Sequence, residues 1–151
     1  MILKTLRFGE IDIKEDDILQ FPQGLFAFEE HKKYILVPVN DNPFFRWLQC
    51  VDEPKISFLL IDPFVIRENY YVELDDSLKE ELGISKQEDV VVYTIVTLPE
   101  GDFQKSSTNL LAPLVINLSG KKAKQVLLDE TRGQVKEPLF PSQDNRKVSG
   151  G

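Results

Sequence analysis

The chain has 151 residues, 42% of them hydrophobic and 28% charged, with a net charge of −7. That length suits one domain with a sizeable core, and the excess of carboxylates argues against nucleic-acid phosphates as a direct ligand. A single cysteine, Cys50, leaves no internal disulfide. With no long apolar run and no signal-like start, a cytoplasmic protein is expected.

Residues Ile2–Phe8 read as a strand with Ile2, Leu6 and Phe8 on one side, and Gly9-Glu10 fits a two-residue hairpin turn. Ile11 and Ile13 alternate with polar neighbours and continue the return strand. Glu15-Asp16-Asp17 is a polar break, followed by the short apolar segment Ile18–Phe21 and the turn Pro22-Gln23-Gly24. Leu25–His31 reads as one helical turn with Leu25, Phe26 and Phe28 inward. Tyr34–Val39 is a nearly uninterrupted apolar strand.

The strands Phe44–Val51 and Ile56–Ile61, joined by the turn Asp52-Glu53-Pro54-Lys55, are the centre of the chain. Alternation puts Phe44, Arg46, Leu48 and Cys50 on one face and Phe45, Trp47 and Gln49 on the other. Neither strand has one wholly polar face. One face should line the core, and the other needs a second layer or a partner.

Phe64–Leu74 is a looser extended segment. Asp75–Leu82 is the best helix, with Ser77 and Glu80 at capping-box spacing, Asp75 and Asp76 at the positive end of the dipole and Gly83 as the stop. Glu88–Leu98 is the longest strand, β-branched through its middle. After the turn Pro99–Asp102 come Phe103–Thr108 and Asn109–Leu118, where Pro113 marks an edge or a bulge. Ser119–Lys122 turns the chain into a last strand, Lys124–Leu128. These elements predict an all-β barrel or sandwich over residues 1–129, and a flexible tail over 130–151 in which Leu139 and Phe140 could dock locally.

Catalytic and metal motifs do not emerge. His31 is the only histidine and sits among charged neighbours, whereas metal sites recruit several His or Cys. Cys50 lies in an apolar strand, as inert core thiols do. There is no P-loop and no dinucleotide fingerprint. The acidic pairs lie in turns and on a helix where water solvates them, so an enzyme is not expected and no cofactor is.

Three stretches taken together resemble the FliW family of flagellar assembly factors. They are Phe21-Pro22-Gln23-Gly24-Leu25-Phe26-Ala27-Phe28, then Asp41-Asn42-Pro43-Phe44-Phe45 with Leu48-Gln49 and Asp62-Pro63-Phe64, and finally Asn109 through Asn117. The similarity spans about Ile2 to Asp129, and Trp47 and Cys50 depart from the family pattern. It implies a bacterial cytoplasmic, compact β-barrel-like domain of short antiparallel strands without catalytic activity or cofactor. It also implies two protein partners. One is CsrA, a dimeric regulator that blocks translation of flagellin mRNA and is antagonised allosterically, away from its RNA-binding surface. The other is flagellin, which sequesters the factor.

Candidate partner contacts are the apolar Phe44, Phe45, Trp47 and Phe64, with Asn109, Leu111 and Pro113 from the third stretch and the acidic Asp75, Asp76, Glu80 and Glu81. The free protein is expected to be a monomer. Two other readings stand beside this one: a ligand-binding β-barrel or small enzyme whose Phe and Trp cluster forms a pocket, and a structural domain whose aromatics are all core. Burial of Phe44, Phe45, Trp47 and Phe64 separates them.

Overall fold

The computed structural model describes residues 1–140. The strands, in chain order, are β1 (Ile2–Thr5), β2 (Gly9–Asp12), β3 (Leu19–Gln20), β4 (Lys33–Val39), β5 (Asn42–Cys50), β6 (Ser57–Ile61), β7 (Val90–Thr97), β8 (Ser107–Thr108), β9 (Leu114–Asn117), β10 (Lys122–Gln125) and β11 (Glu137–Pro138). One helix, α1 (Asp76–Leu82), lies between β6 and β7. Sheet neighbours run β11-β8-β7-β6-β5-β4-β3-β10-β9, and β9 returns to β7. The return closes seven strands into a barrel, which removes most of the edge a flat sheet would expose. The expected all-β, barrel-like class with one short helix is what the chain adopts.

Barrel closure resolves the two-sided apolar strands. Leu48 and Cys50 of β5, Leu60 of β6 and Leu114 and Ile116 of β9 fill the interior with Phe21, Leu25 and Tyr34. The outer face is covered in three places. The β1–β2 hairpin lays Leu3 against Ile18 and Ile35. Ile66, Leu98 and Leu139 pack over Leu59, Ile61 and Val96. Helix α1 sets Leu78 and Leu82 on Val115. An outward apolar residue is thus buried as well as an inward one, which is why the strands lack simple alternation.

Several elements differ from their sequence reading. The first hairpin turns at Leu6-Arg7-Phe8, because the Thr5 hydroxyl accepts from the Phe8 N–H and donates to the Gly9 carbonyl. Leu3 and Thr5 therefore face inward, while Ile2 and Leu6 are exposed. Leu25–His31 is not helical: Leu25 bridges Phe28 across a tight loop, Ala27 has φ +72°, and Phe26 is exposed. The cap of α1 is Asp75, whose side chain accepts from the Leu78 N–H, and not Ser77. Phe44 is exposed although it shares a face of β5 with the buried Leu48. Strand β5 keeps its register with β6 as far as the bond from the Asp62 N–H to the Phe44 carbonyl, but its register against β4 shifts between Pro38 and Val39, a bulge at the strand end. Gln49 is fully buried, its amide donating to the carbonyls of Cys50 and Ile56 and so tying down the turn between β5 and β6.

Pro113 ends a bulge and not an edge, since β8 and β9 both pair with β7 and the extra residues between them, Leu110 to Pro113, are buried. Strand β10 begins inside the expected turn, which is tightened to Leu118–Lys121 with Lys121 at φ +57°. The boundary expected after Asp129 is also moved. Gln134 accepts from the Leu110 N–H, β11 pairs with β8, and Phe140 meets Phe103 at 5.1 Å between ring centroids. The rest of the expected tail, 141–151, lies outside the described residues. No helix among those described is long and apolar enough to cross a membrane.

Candidate functional site

The barrel wall is incomplete beside β7. Strand β6 pairs with Thr94, Ile95 and Val96, then ends at Ile61, and Asp62-Pro63 turns the chain away. The Asp62 carboxylate accepts from the Phe64 N–H and fixes that turn. What opens is a groove of about 450 Å³. Val90, Val91, Val92 and Tyr93 of β7 form its floor, with Pro43, Asp62 and Phe64 on one wall and Tyr71, Val72 and Leu74 on the other.

Both walls are held from behind. The Tyr70 hydroxyl donates to the Leu110 carbonyl at 2.6 Å, and its ring meets Phe64 edge-on at 5.8 Å. Arg132 stacks 3.9 Å over the Tyr71 ring and donates to the Tyr71 carbonyl. Tyr71 is thereby presented at 52% exposure and Phe64 at 43%. Phe44, whose carbonyl accepts from the Asp62 N–H, adds a third exposed ring at 48%. Exposed aromatics fixed by their neighbours lose little entropy on binding, which favours them as anchors. Burial, opposed by Arg46 and reinforced by Asp62, raises the pKa of Tyr93, so the phenol on the floor stays neutral.

The candidate residues are scattered. Phe64 lies on the groove and Phe44 beside it. Phe45 is half-buried against Phe103 at 5.9 Å. Trp47 is half-buried beneath Arg7, 4.0 Å from the ring centroid, and beside Phe8. These aromatics point to separate neighbours and do not enclose one pocket, which removes the basis of the ligand-binding reading. Leu111 and Pro113 are buried, and the Asn109 side chain accepts from the Leu111 N–H, so the third stretch shapes the bulge between β8 and β9. Asp75, Asp76, Glu80 and Glu81 are all at the surface, but Asp75 caps α1, and Glu81 binds Lys124 at 2.9 Å and Gln23 at 2.7 Å. That leaves Asp76 and Glu80 as the carboxylates of the set without such a bond among the described residues.

Sequence reading missed Tyr71, Val72, Leu74 and Val92. Tyr70-Tyr71 in an otherwise loose segment was the available signal, because one ring there is buried and its neighbour is exposed. Among the described residues no group of three or more His, Cys, Asp or Glu side chains converges. Cys50 is buried in the barrel interior, where burial pushes its thiol pKa up and keeps it protonated.

Comparison with known proteins extends over nearly the same residues. Residues 2–139 match the family model described as FliW protein. A flagellar assembly factor FliW of Moorella thermoacetica is 40% identical over 140 residues, covering 93% of this chain and 89% of that protein. One from Geobacillus sp. strain WCH70 is 43% identical over 141 residues, covering 93% and 96%. A crystal structure of a flagellar assembly factor FliW superposes with a TM-score of 0.85 at 37% identity, covering 95% of this chain and 99% of that one.

Proposed function

The chain belongs to the FliW family of flagellar assembly factors, and from that premise we propose that it works by capturing proteins: it binds CsrA and relieves repression of flagellin mRNA, and free flagellin sequesters it in turn. One observation carries this reading. Phe44, Phe64 and Tyr71 are exposed around an open apolar groove, next to the segment Glu73–Asp89 with its seven carboxylates and two lysines. Apolar anchors beside surplus charge are the make-up of a protein-binding surface, the anchors supplying hold and the charge supplying approach. A partner that grips RNA phosphates must itself be basic, so an acidic surface is complementary to it. Antagonism away from the RNA-binding face would then work through a change in CsrA and not by blocking its RNA site. The protein is a monomer when free and works in the cytoplasm, where both partners are made.

Co-purification tests the proposal. Tagged full-length chain should retain CsrA, and added flagellin should release the CsrA and take its place. Retention of neither protein overturns the reading. Retention of CsrA that flagellin does not disturb overturns the sequestration half alone.

A further inference from the structure

We propose that the unpaired edge of β7 takes up an extended segment of a partner polypeptide as an added strand, apolar at alternate positions and flanked by Lys or Arg. The inference rests on the protein-capture reading and says how the groove would perform it.

The backbone register identifies the open groups. Leu118 N–H donates to the Asp89 carbonyl at 2.9 Å, and Asn109 N–H to the Ile95 carbonyl at 3.3 Å. Odd-numbered carbonyls of this stretch therefore face β8 and β9. In an antiparallel ladder the groups of successive residues point to opposite sides, so even-numbered ones face the β6 side. Thr94 and Val96 meet β6 there. Val92 and Val90 have the same orientation, but β6 has ended, and Pro63 has no N–H to offer.

Val90 N–H is already used by the Gln87 carbonyl. The Val92 N–H and carbonyl and the Val90 carbonyl are left facing the groove. The wall segment Tyr71–Leu74 sends them no backbone hydrogen bond. A donor and two acceptors on one strand edge, beside apolar walls, form the template for strand addition.

Charge selects the occupant. Asp62 lines the groove, and Glu73, Glu88 and Asp89 adjoin its lining residues in sequence. Of the cations near it, Arg46 is turned back onto the carbonyls of Pro43 and Phe45, Arg132 is held on the Tyr71 ring and carbonyl, and Lys86 adjoins Gln87, so carboxylates outnumber them at the rim. A second copy would bring its own −7 to the same acidic rim, so self-pairing is opposed. A segment with basic flanks is favoured.

The test uses the full chain, isotope-labelled for amide exchange, and a blocked synthetic peptide, Lys-Lys-Val-Thr-Val-Thr-Val-Lys-Lys. Pairing should slow exchange at the Val92 amide by about tenfold or more. N-methylation along one edge of the peptide should abolish the effect, and along the other edge should not. Val92→Pro deletes the groove-facing donor without removing a bond to β8 or β9, and should weaken peptide binding by at least about tenfold. If that variant does not fold, the two methylated peptides decide alone.

A Val92 amide already protected in the dilute free chain overturns the proposal, as its own chain would then fill the edge. Protection that grows with protein concentration overturns it in favour of a second copy. So does equal binding of both methylated peptides. Retention of CsrA and flagellin is scored in parallel: either one held without any peptide pairing defeats strand addition only, while retention of neither defeats the capture reading itself.

Discussion

At the scale of single residues, backbone angle and burial decide more than side-chain chemistry. Gly24 and Gly83 have nearly the same φ, +67° and +65°. A Cβ at Gly83 would meet nothing within 4 Å, whereas one at Gly24 would lie 2.6 Å from the Glu29 Cα. Gly83→Ala should therefore cost about 1 kcal/mol, the ordinary left-handed penalty. Gly24→Ala should cost at least about twice that, because backbone must move as well. Urea midpoints of the two variants check the order, and equal losses would show that the Phe21–Phe28 loop yields easily. Tyr34, Tyr70 and Tyr93 give the protein a pH limit. Burial raises all three phenols above the usual tyrosine value near 10. Below pH 10 both states keep these protons and stability is unaffected. Above it the unfolded chain releases protons that the folded chain holds, so stability falls as pH rises. The slope reaches at most about 1.4 kcal/mol per pH unit for each phenol. Urea unfolding between pH 8 and 11 should show a plateau and then this decline, and no decline would mean that the phenols ionise in place.

At the scale of elements, local chemistry was legible and long-range pairing was not. The turn between β5 and β6, strand β4, the body of β7 and the end of α1 at Gly83 could all be read from proline, glycine and β-branched runs. The start of α1 could not, because Asp75 and Ser77 both suit a cap and only the tertiary position of the helix chooses between them. Asp75→Ala should cost about 1 kcal/mol and Ser77→Ala next to nothing, as thermal unfolding of the two variants will show. The bulge between β4 and β5 beside Phe44 was equally hidden, because a register shift depends on the partner strand and leaves no mark on its own residues. For the same reason the β7 edge was illegible: Val90–Tyr93 looks in sequence like Thr94–Thr97, and only the early end of β6 distinguishes them. The segment after Asp129 looked like a tail because β11 is two residues long and Leu139-Phe140 is a single apolar pair without periodicity. A chain cut after Asp129 loses that pairing and uncovers Leu59 and Val96. Fully burying one such side chain contributes roughly 1.5–3 kcal/mol, and Leu139 is half-buried, so this truncation should lower the melting temperature, as thermal unfolding of the cut and full chains will show.

At the scale of the whole molecule, the charge of −7 and the apolar groove should govern different steps of capture. Exposed charges act over about a Debye length, roughly 8 Å at physiological salt, and speed the encounter. Desolvated aromatics act only once the surfaces meet, and hold the complex together. The sequence showed the acidic run, but the structure decides which of its members are available for steering. Asp75 is committed to capping α1, and Glu81 to Lys124 and Gln23, so removing either would disturb the fold as well as the field. Asp76 and Glu80 are exposed. The variant Asp76→Asn with Glu80→Gln should therefore bind CsrA with an association rate lowered about threefold to tenfold at low salt. Its rate should depend less on salt, and its dissociation rate should be unchanged. Phe64→Ala should do the reverse, raising the dissociation rate about tenfold while leaving association nearly as it was. Surface plasmon resonance at two ionic strengths separates the steps. If charge removal changed only dissociation, the carboxylates would be interface contacts and not a steering field. If neither variant moved either rate, the capture surface would lie elsewhere on the barrel, with the acidic helix serving solubility.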